Sequence, residues 1–357
     1  MIYFDYAATS VKRDEILEYI LKNKEAFDGN PDSLHAKGRE AKKILEDSRR
    51  QIAQSIGADP RNVVFTSGAS EGNNTVIKAF KDNKIITSAI EHDSILNTID
   101  KNNAILLDAN NDGRISLDDL KDAIDDQTKL VAIMYVNNET GAIQPVKEIG
   151  EYLKDKDIWF HVDAVQAYGH IDIDVDDINC DSLSLSGHKI GGLNGFGIFY
   201  MRENLKPLIT GGEQEKDRRA GTSFVAGAYS MAESFPLMVE ERAHIKELKS
   251  YFIEKLEKSN ISYEINGSTE NSSDHVLNLY FSDYKSDFLL TYLDMNGICA
   301  SAGSACRAGS ILPSHVISNM YDEDRARHSI RFSFGYTNTK EDIDKAIEVL
   351  ERLNNER

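Results

Sequence analysis

The chain has 357 residues and a formal charge of −18, with 41 Lys and Arg against 59 Asp and Glu, a balance that excludes a broad nucleic-acid-binding face and reads as solubility. No apolar run reaches the roughly 18 residues that a membrane span needs, and MIYFDYAATS lacks the basic start and apolar middle of a secretion signal, so a cytoplasmic protein with no membrane or direct nucleic-acid partner is expected. Three cysteines, Cys180, Cys299 and Cys306, are an odd number that points to reduced thiols rather than a disulfide framework.

In chain order, a helical pattern over residues 32–56 leads to an apolar run at Val63–Thr66, a helix at residues 72–80 and a second run at residues 85–88. Runs at 130–136, 159–162, Ser182–Ser186 and 197–200 follow, interleaved with helical stretches such as 146–155. That alternation predicts an α/β fold with a mostly parallel sheet covered by helices. Residues 231–258 read as a charged bridging helix kinked at Pro236. Beyond it VLNLYF, a helix over 287–295, IRFSFG and an amphipathic helix over 340–353 make a smaller α+β unit. The expected division is a large domain over residues 15–235 and a small one formed by residues 1–14 and 236–357. DANNDGRISLDD, from Asp108 to Asp119, imitates a calcium loop, but its twelfth position is Asp and the strand-like AILL precedes it where such a loop needs a helix. It reads as a turn into a helix capped by Ser116.

The chemistry gathers in short motifs. VVFTSGASEGNN carries a strand into Thr66-Ser67-Gly68-Ala69-Ser70 and a helix; small residues let backbone N–H groups approach an anion at the helix start, and Ser70 adds a hydroxyl. By itself the motif is equally an ordinary strand–helix turn. In HVDAVQA, Asp163 stands at the carboxyl end of a strand, where α/β sheets place their ligands. Buried there it calls for a cationic partner such as a protonated ring nitrogen; taken alone it would serve as a helix N-cap. SLSLSGHKIGG sets Lys189 between an apolar run and glycines, an amine placed to form a Schiff base with an aldehyde, although a solitary lysine would snorkel to the surface. An anion cup, an acid for a ring nitrogen and a strand-end lysine are together the parts of a pyridoxal 5′-phosphate site. ICASAGSACRAGS places Cys306 in a loop of small residues, a reachable thiol with Arg307 beside it as activator. Cys299 and Cys180 read as buried small hydrophobes. His92, after the run IITSAI, can stack on an aromatic cofactor and shuttle protons, and Arg331 in HSIRFSFG can grip a carboxylate; in isolation these would be a core histidine and a surface ion pair.

With FDYAATS, GNPDSLHAKGREA, VVFTSGASEGNN, EHDSIL, VNNETGAIQPV, HVDAVQA, SLSGHKIGG, GGEQEKDRRAGT, GSACRAGS and HSIRFSFG in this order, the chain resembles the cysteine desulfurases. These are pyridoxal-phosphate enzymes of the class V aminotransferase group with fold type I, and the longer form around Cys306 is similar to the nitrogen-fixation and iron-sulfur branch. The resemblance implies a seven-stranded type of sheet in the large domain and Lys189 as the imine-forming residue. It implies Asp163 on the pyridinium nitrogen, Gln166 on the ring hydroxyl, and His92 stacked on the ring. Ala69, Ser70, Ser186 and His188 would hold the phosphate, Thr222 would reach it from the other subunit of a homodimer, and Asn138 and Arg331 would bind the substrate carboxylate. L-cysteine would become L-alanine while Cys306 takes the sulfur as a persulfide and hands it to an acceptor protein of scaffold or thiolase type, for iron-sulfur cluster assembly or tRNA thiolation. No metal is implied. A selenocysteine lyase or aminotransferase on the same scaffold, and a non-catalytic sulfur carrier, are the alternatives. Leu193-Asn194 stand where the family usually has Pro-Lys, Ser70 where it has Thr and Ala302 where it has Ser. Arg357 follows soon after the last helical pattern, where housekeeping members continue into a scaffold-docking tail, so the acceptor stays open.

Overall fold

The computed structural model describes residues 1–303 and 312–355; Cys306 and Arg307 lie outside the described residues. The chain begins with a short strand, β1 (Ile2–Tyr3). The central sheet takes β2 (Val63–Thr66), β3 (Lys84–Ser88), β4 (Ala104–Leu107), β5 (Thr128–Met134), β6 (Trp159–Asp163), β7 (Ser182–Ser186) and β8 (Gly197–Met201). Their spatial order is β2-β8-β7-β6-β5-β3-β4, and β8 runs against both of its neighbours while β4, β3, β5, β6 and β7 pair in parallel.

This sheet is the one the apolar runs predict. β5, TKLVAIM, is buried at nearly every position, as a strand covered by helices on both faces should be. β7 is less obvious, since SLSLS alternates like a half-exposed strand yet is buried throughout. The helix Ala69–Ala79 covers its serine face at close range: a Cβ on Gly72 would stand 2.4 Å from Ser184 Oγ, so glycine is what admits the helix. The helical pattern at 32–56 begins only at Ala36. Upstream, Asn30 Oδ1 accepts the Asp32 N–H at 3.0 Å in an Asx turn that holds this stretch out of the helix, and His35 caps the helix by accepting from the Gly38 N–H at 3.2 Å. The bridging helix is longer than expected, Val225–Lys258, and carries Pro236 inside it. Ser116 caps the helix Leu117–Ala123, and AILL forms β4, as read from the sequence. None of the described helices is long and apolar enough to cross a membrane.

The remaining strands are β9 (Glu264–Ile265), β10 (Val276–Tyr280), β11 (Ile298–Cys299) and β12 (Ser329–Ser333). They form an antiparallel sheet in the order β12-β10-β9 and a parallel pair of β1 with β11. Cys180 is fully buried, as expected, whereas Cys299, in the two-stranded β1–β11 pair, is only half-buried. Phe4, from the N-terminal segment, packs edge-on against Phe252 of the long helix, Phe332 of β12 and Phe334, with ring centroids 6.1, 6.2 and 5.7 Å away. Arg13 is buried under Tyr336, with its guanidinium carbon 3.9 Å from the ring centre, and forks onto both oxygens of Glu241 in the long helix. Together these contacts tie residues 4–13 against β12 and the long helix.

Phe252 is fully buried and lies 5.0 Å from the ring of Phe332. Phe252→Ala is expected to lower stability by about 3–5 kcal/mol through lost contacts and the cavity left behind, as measured by urea denaturation.

Candidate active site

The carboxyl ends of the parallel strands open on a cavity of about 360 Å³, where an α/β sheet is expected to bind. Ala69, Ser70, His92, Asn138, Asp163 and Gln166 line it, as do Ser186, His188, Lys189 and Arg331. Ten positions picked from separate motifs thus share one space. Thr222 does not line the cavity of its own chain and is exposed.

Lys189 ends the short turn Gly187–Lys189 that follows β7. Its Nζ donates to the carbonyls of Ala7 and Ala8 at 2.6 and 2.8 Å, so the amine is held by N-terminal backbone across the cavity. Asp163 closes β6 and is 5 % exposed. Its oxygens accept from Asn73 Nδ2 at 2.7 Å and from the Val165 N–H at 3.1 Å, and no lysine or arginine pairs with it among the described residues.

Behind Asp163 the donors follow in a determined order. Trp159 Nε1 donates to Ser182 Oγ at 2.8 Å, so the Ser182 hydroxyl hydrogen is free to point to His161 Nδ1 at 2.9 Å. His161 Nε2 then carries the ring hydrogen and donates to Asn73 Oδ1 at 3.0 Å, which turns the Asn73 nitrogen toward Asp163. Burial holds the His161 pKa down at about 3, so this ring is neutral. Glu91, buried beside this group, accepts from Ser88 Oγ at 2.6 Å and from the Met134 N–H at 2.8 Å, while its Oε2 has no partner. Burial first, with the charge of Asp163 adding to it, raises its pKa to about 8.

At the opposite wall the helix Ala69–Ala79 starts after Gly68, whose φ of 149° belongs to the region that favours glycine. A Cβ there would enter the space between the helix start and Ser186, whose Oγ would be its nearest neighbour at 3.8 Å. Ser186 and His188 enter from the end of β7. Burial, then the charges of Lys189, Lys12 and His92, push the His188 pKa down to about 3, so His188 faces the cavity neutral. His92 caps the helix Asp93–Leu96, with Nδ1 accepting the Ser94 N–H at 3.0 Å. Arg331 arrives from β12, 1 % exposed, with Nη1 on the Asn138 carbonyl at 2.8 Å and Nη2 on Asp5 Oδ1 at 2.7 Å.

Asn73, His161 and Asp5 were not singled out from sequence, and Glu91 was noted only as the neighbour of His92, with no role of its own. A signal for His161 did exist: it precedes Asp163 by two in a strand and therefore shares its face. Nothing local marks Asp5 as the partner of Arg331.

The residues fit pyridoxal 5′-phosphate. A buried carboxylate lacking a cation suits a protonated ring nitrogen, a helix start with a side-chain-free cradle suits a phosphate, and a strand-end amine suits an aldehyde. Seven strands with β8 reversed, and this disposition of amine and acid, are those of a fold type I protein. Residues 2–346 match the aminotransferase class-V family, whose members use pyridoxal phosphate. The chain belongs to that family, and within it groups with the cysteine desulfurases. It is 44% identical to a protein of Bacillus subtilis named putative cysteine desulfurase IscS 1, over 97% of this chain and 96% of that one. It is 40% identical to the cysteine desulfurase IscS of Dictyoglomus turgidum, over 99% and 94%. Among solved structures a NifS-like protein superposes with a TM-score of 0.92 at 32% identity over the whole of both chains, and one from Rickettsia africae with 0.89 at 33% over 99% of each.

Two expectations follow. Asn73→Leu removes a donor from the buried Asp163 carboxylate and should lower stability by about 1–3 kcal/mol, read by urea denaturation. Glu91 is raised from 4.5 to about 8 in the fold, so its unfolded form ionises first and the folded protein loses stability as pH climbs from about 4.5 to about 8. Denaturation midpoints from pH 5 to 9 should therefore fall in wild type relative to Glu91→Gln and run parallel above that window.

Proposed function

We propose that the chain is a pyridoxal-phosphate-dependent cysteine desulfurase that converts L-cysteine to L-alanine and takes the sulfur on Cys306, with Lys189, Cys306 and His92 as its catalytic residues. One observation carries the reading beyond the shared scaffold. The described residues that flank the segment holding Cys306 are fixed on both sides to neighbours of the cavity. On one side Ser301 exchanges backbone hydrogen bonds with Arg331, at 2.5 and 3.1 Å; on the other the Ser314 hydroxyl donates to Glu139, the neighbour of Asn138. An aminotransferase has no use for a thiol in a segment flanked this way.

When bound, pyridoxal phosphate supplies an electron sink that lets the substrate lose first its Cα proton and then its sulfur. Ala69 and Ser70 at the helix start, with Ser186 and His188, would hold the phosphate, and Asp163 would keep a proton on the ring nitrogen. Gln166 would meet the ring oxygen and His92 would cover the ring face. Arg331 and Asn138 orient the substrate carboxylate, a planar group matched to a guanidinium fork. Lys189 Nζ, brought to the cavity by the turn after β7, moves the Cα proton. Cys306 Sγ, as thiolate, forms a bond to the substrate sulfur; the electron pair of the breaking C–S bond remains with carbon, which takes a proton, so the products are alanine and a persulfide.

Cysteine desulfurases act on cysteine and pass sulfur to acceptor proteins. For this chain the acceptor would serve iron-sulfur cluster assembly or tRNA thiolation. A homodimer is part of the same reading, since Thr222 is exposed and stands away from its own cavity, free to complete a partner's phosphate site. So are a cytoplasmic location, consistent with the free thiols Cys180 and Cys299, and the division into residues 15–235 and residues 1–14 with 236–357, supported by their separate sheets.

Reconstituted protein should be yellow and, with a dithiol such as dithiothreitol added to reduce the persulfide, release alanine and sulfide from L-cysteine in equal amounts. Lys189→Ala is expected to lose the reducible visible band. Cys306→Ser should lower sulfur release by more than about a hundredfold while keeping that band. Full sulfur release by the serine variant would defeat the desulfurase assignment, and light scattering at the mass of one chain would remove Thr222 from the site.

A further inference from the structure

The wall behind Gln166 contains a buried polar chain that the proposed reaction does not use. Gln166 is 4 % exposed and donates through Nε2 to the Ala7 carbonyl at 2.9 Å. A carbonyl only accepts, so the nitrogen end of the amide belongs there and the oxygen end must face the other way, toward His275 Nε2 at 2.9 Å. His275 Nε2 therefore carries a hydrogen. Its Nδ1 must then accept, and the Ser273 hydroxyl stands 2.6 Å from it. The Ser273 carbonyl is pinned in turn by Lys249 Nζ at 2.9 Å. The ring of His170 lies flat on His275, with centroids 3.5 Å apart and planes 9° from parallel. Burial, and the charges facing His275 from His170, Lys249, Arg331 and Lys189, pull its pKa well below the usual value, so the ring is neutral. His275 itself does not line the cavity.

We propose that His275, oriented by Ser273, is a positioning residue that locks the Gln166 amide so that the cavity presents an N–H donor, and never a carbonyl, to the ring oxygen of the cofactor. An amide left to itself offers either end. With the oxygen committed to His275 and one hydrogen to Ala7, the second amide hydrogen is the group of Gln166 left uncommitted among the described residues. A donor at that place favours the anionic ring oxygen over the neutral one. What the donor meets rests on the pyridoxal-phosphate reading above; the relay from Ser273 to Gln166 does not.

Nitrogen-15 NMR of the full chain labelled at histidine, with and without cofactor, reads the tautomer directly, the His275 signals being assigned from their loss in His275→Gln. A hydrogen on Nε2 and a bare Nδ1 are expected; a hydrogen on Nδ1, or on both, overturns the proposal. The second measurement is the pH titration of the visible band of the holoenzyme. His275→Phe removes the donor that holds the Gln166 oxygen, and the midpoint should rise by roughly one pH unit. His275→Gln, whose amide nitrogen can take the place of Nε2, should return most of that shift. A midpoint unchanged in the phenylalanine variant, or moved equally in both, overturns the assignment. Ser273→Ala, which frees the ring to take the other tautomer, carries the same expectation if the phenylalanine variant does not fold. Absence of any visible band in wild type would count against the cofactor reading, and the tautomer spectrum would still decide the relay.

Discussion

A carboxylate that is 5 % exposed, held by two neutral donors and paired with no cation of its own chain among the described residues, sets the terms for this structure. Removing such a charge from water costs several kcal/mol unless something opposite comes to meet it. The fold could have met it with a lysine or arginine, as it does for Glu71 with Arg219 or Glu215 with Arg49. Around Asp163 it supplies only dipoles, and leaves the balancing charge to a ligand. Glu91 fits the same constraint: a second anion this close would compete for that ligand, and burial holds the carboxyl toward its neutral form instead.

The same device serves two walls of the cavity. His161 turns Asn73 toward Asp163, and His275 turns Gln166 toward Ala7 and the cavity; each ring is neutral and each has its hydrogen placed by a serine hydroxyl. Neutral relays have an advantage over ion pairs here, because they fix direction without adding a charge that would perturb the lysine and the acid nearby. Arg331 is handled differently. Its guanidinium is tied to Asp5 and to the Asn138 carbonyl, so a segment from the chain start, the loop after β5 and β12 meet at a single cation.

Much of this was legible in the sequence because the decisive groups sit at strand ends. A buried parallel strand announces itself by an apolar run, and whatever polar residue terminates it must face the crevice, so Asp163, Lys189 and the Ser67–Ser70 loop could each be picked from a few neighbouring letters. Capping was readable for the same local reason at Ser116. One error was also local in origin. The helix proposed at 32–56 ignored the Asx turn of Asn30, which holds the stretch before Ala36 out of the helix.

Residue type and strand-end position therefore determined by themselves which groups carry the chemistry: an amine, an acid, an anion cradle and a thiol, each set by its immediate neighbours. Only the tertiary structure decided which of them meet and in what orientation. Gln166 and His275 are 109 positions apart, Asp5 and Arg331 326, and no periodicity links them. Their contact follows from a strand order that departs from chain order, and from the direction of individual hydrogen bonds, which depends on every partner in the chain being in place at once.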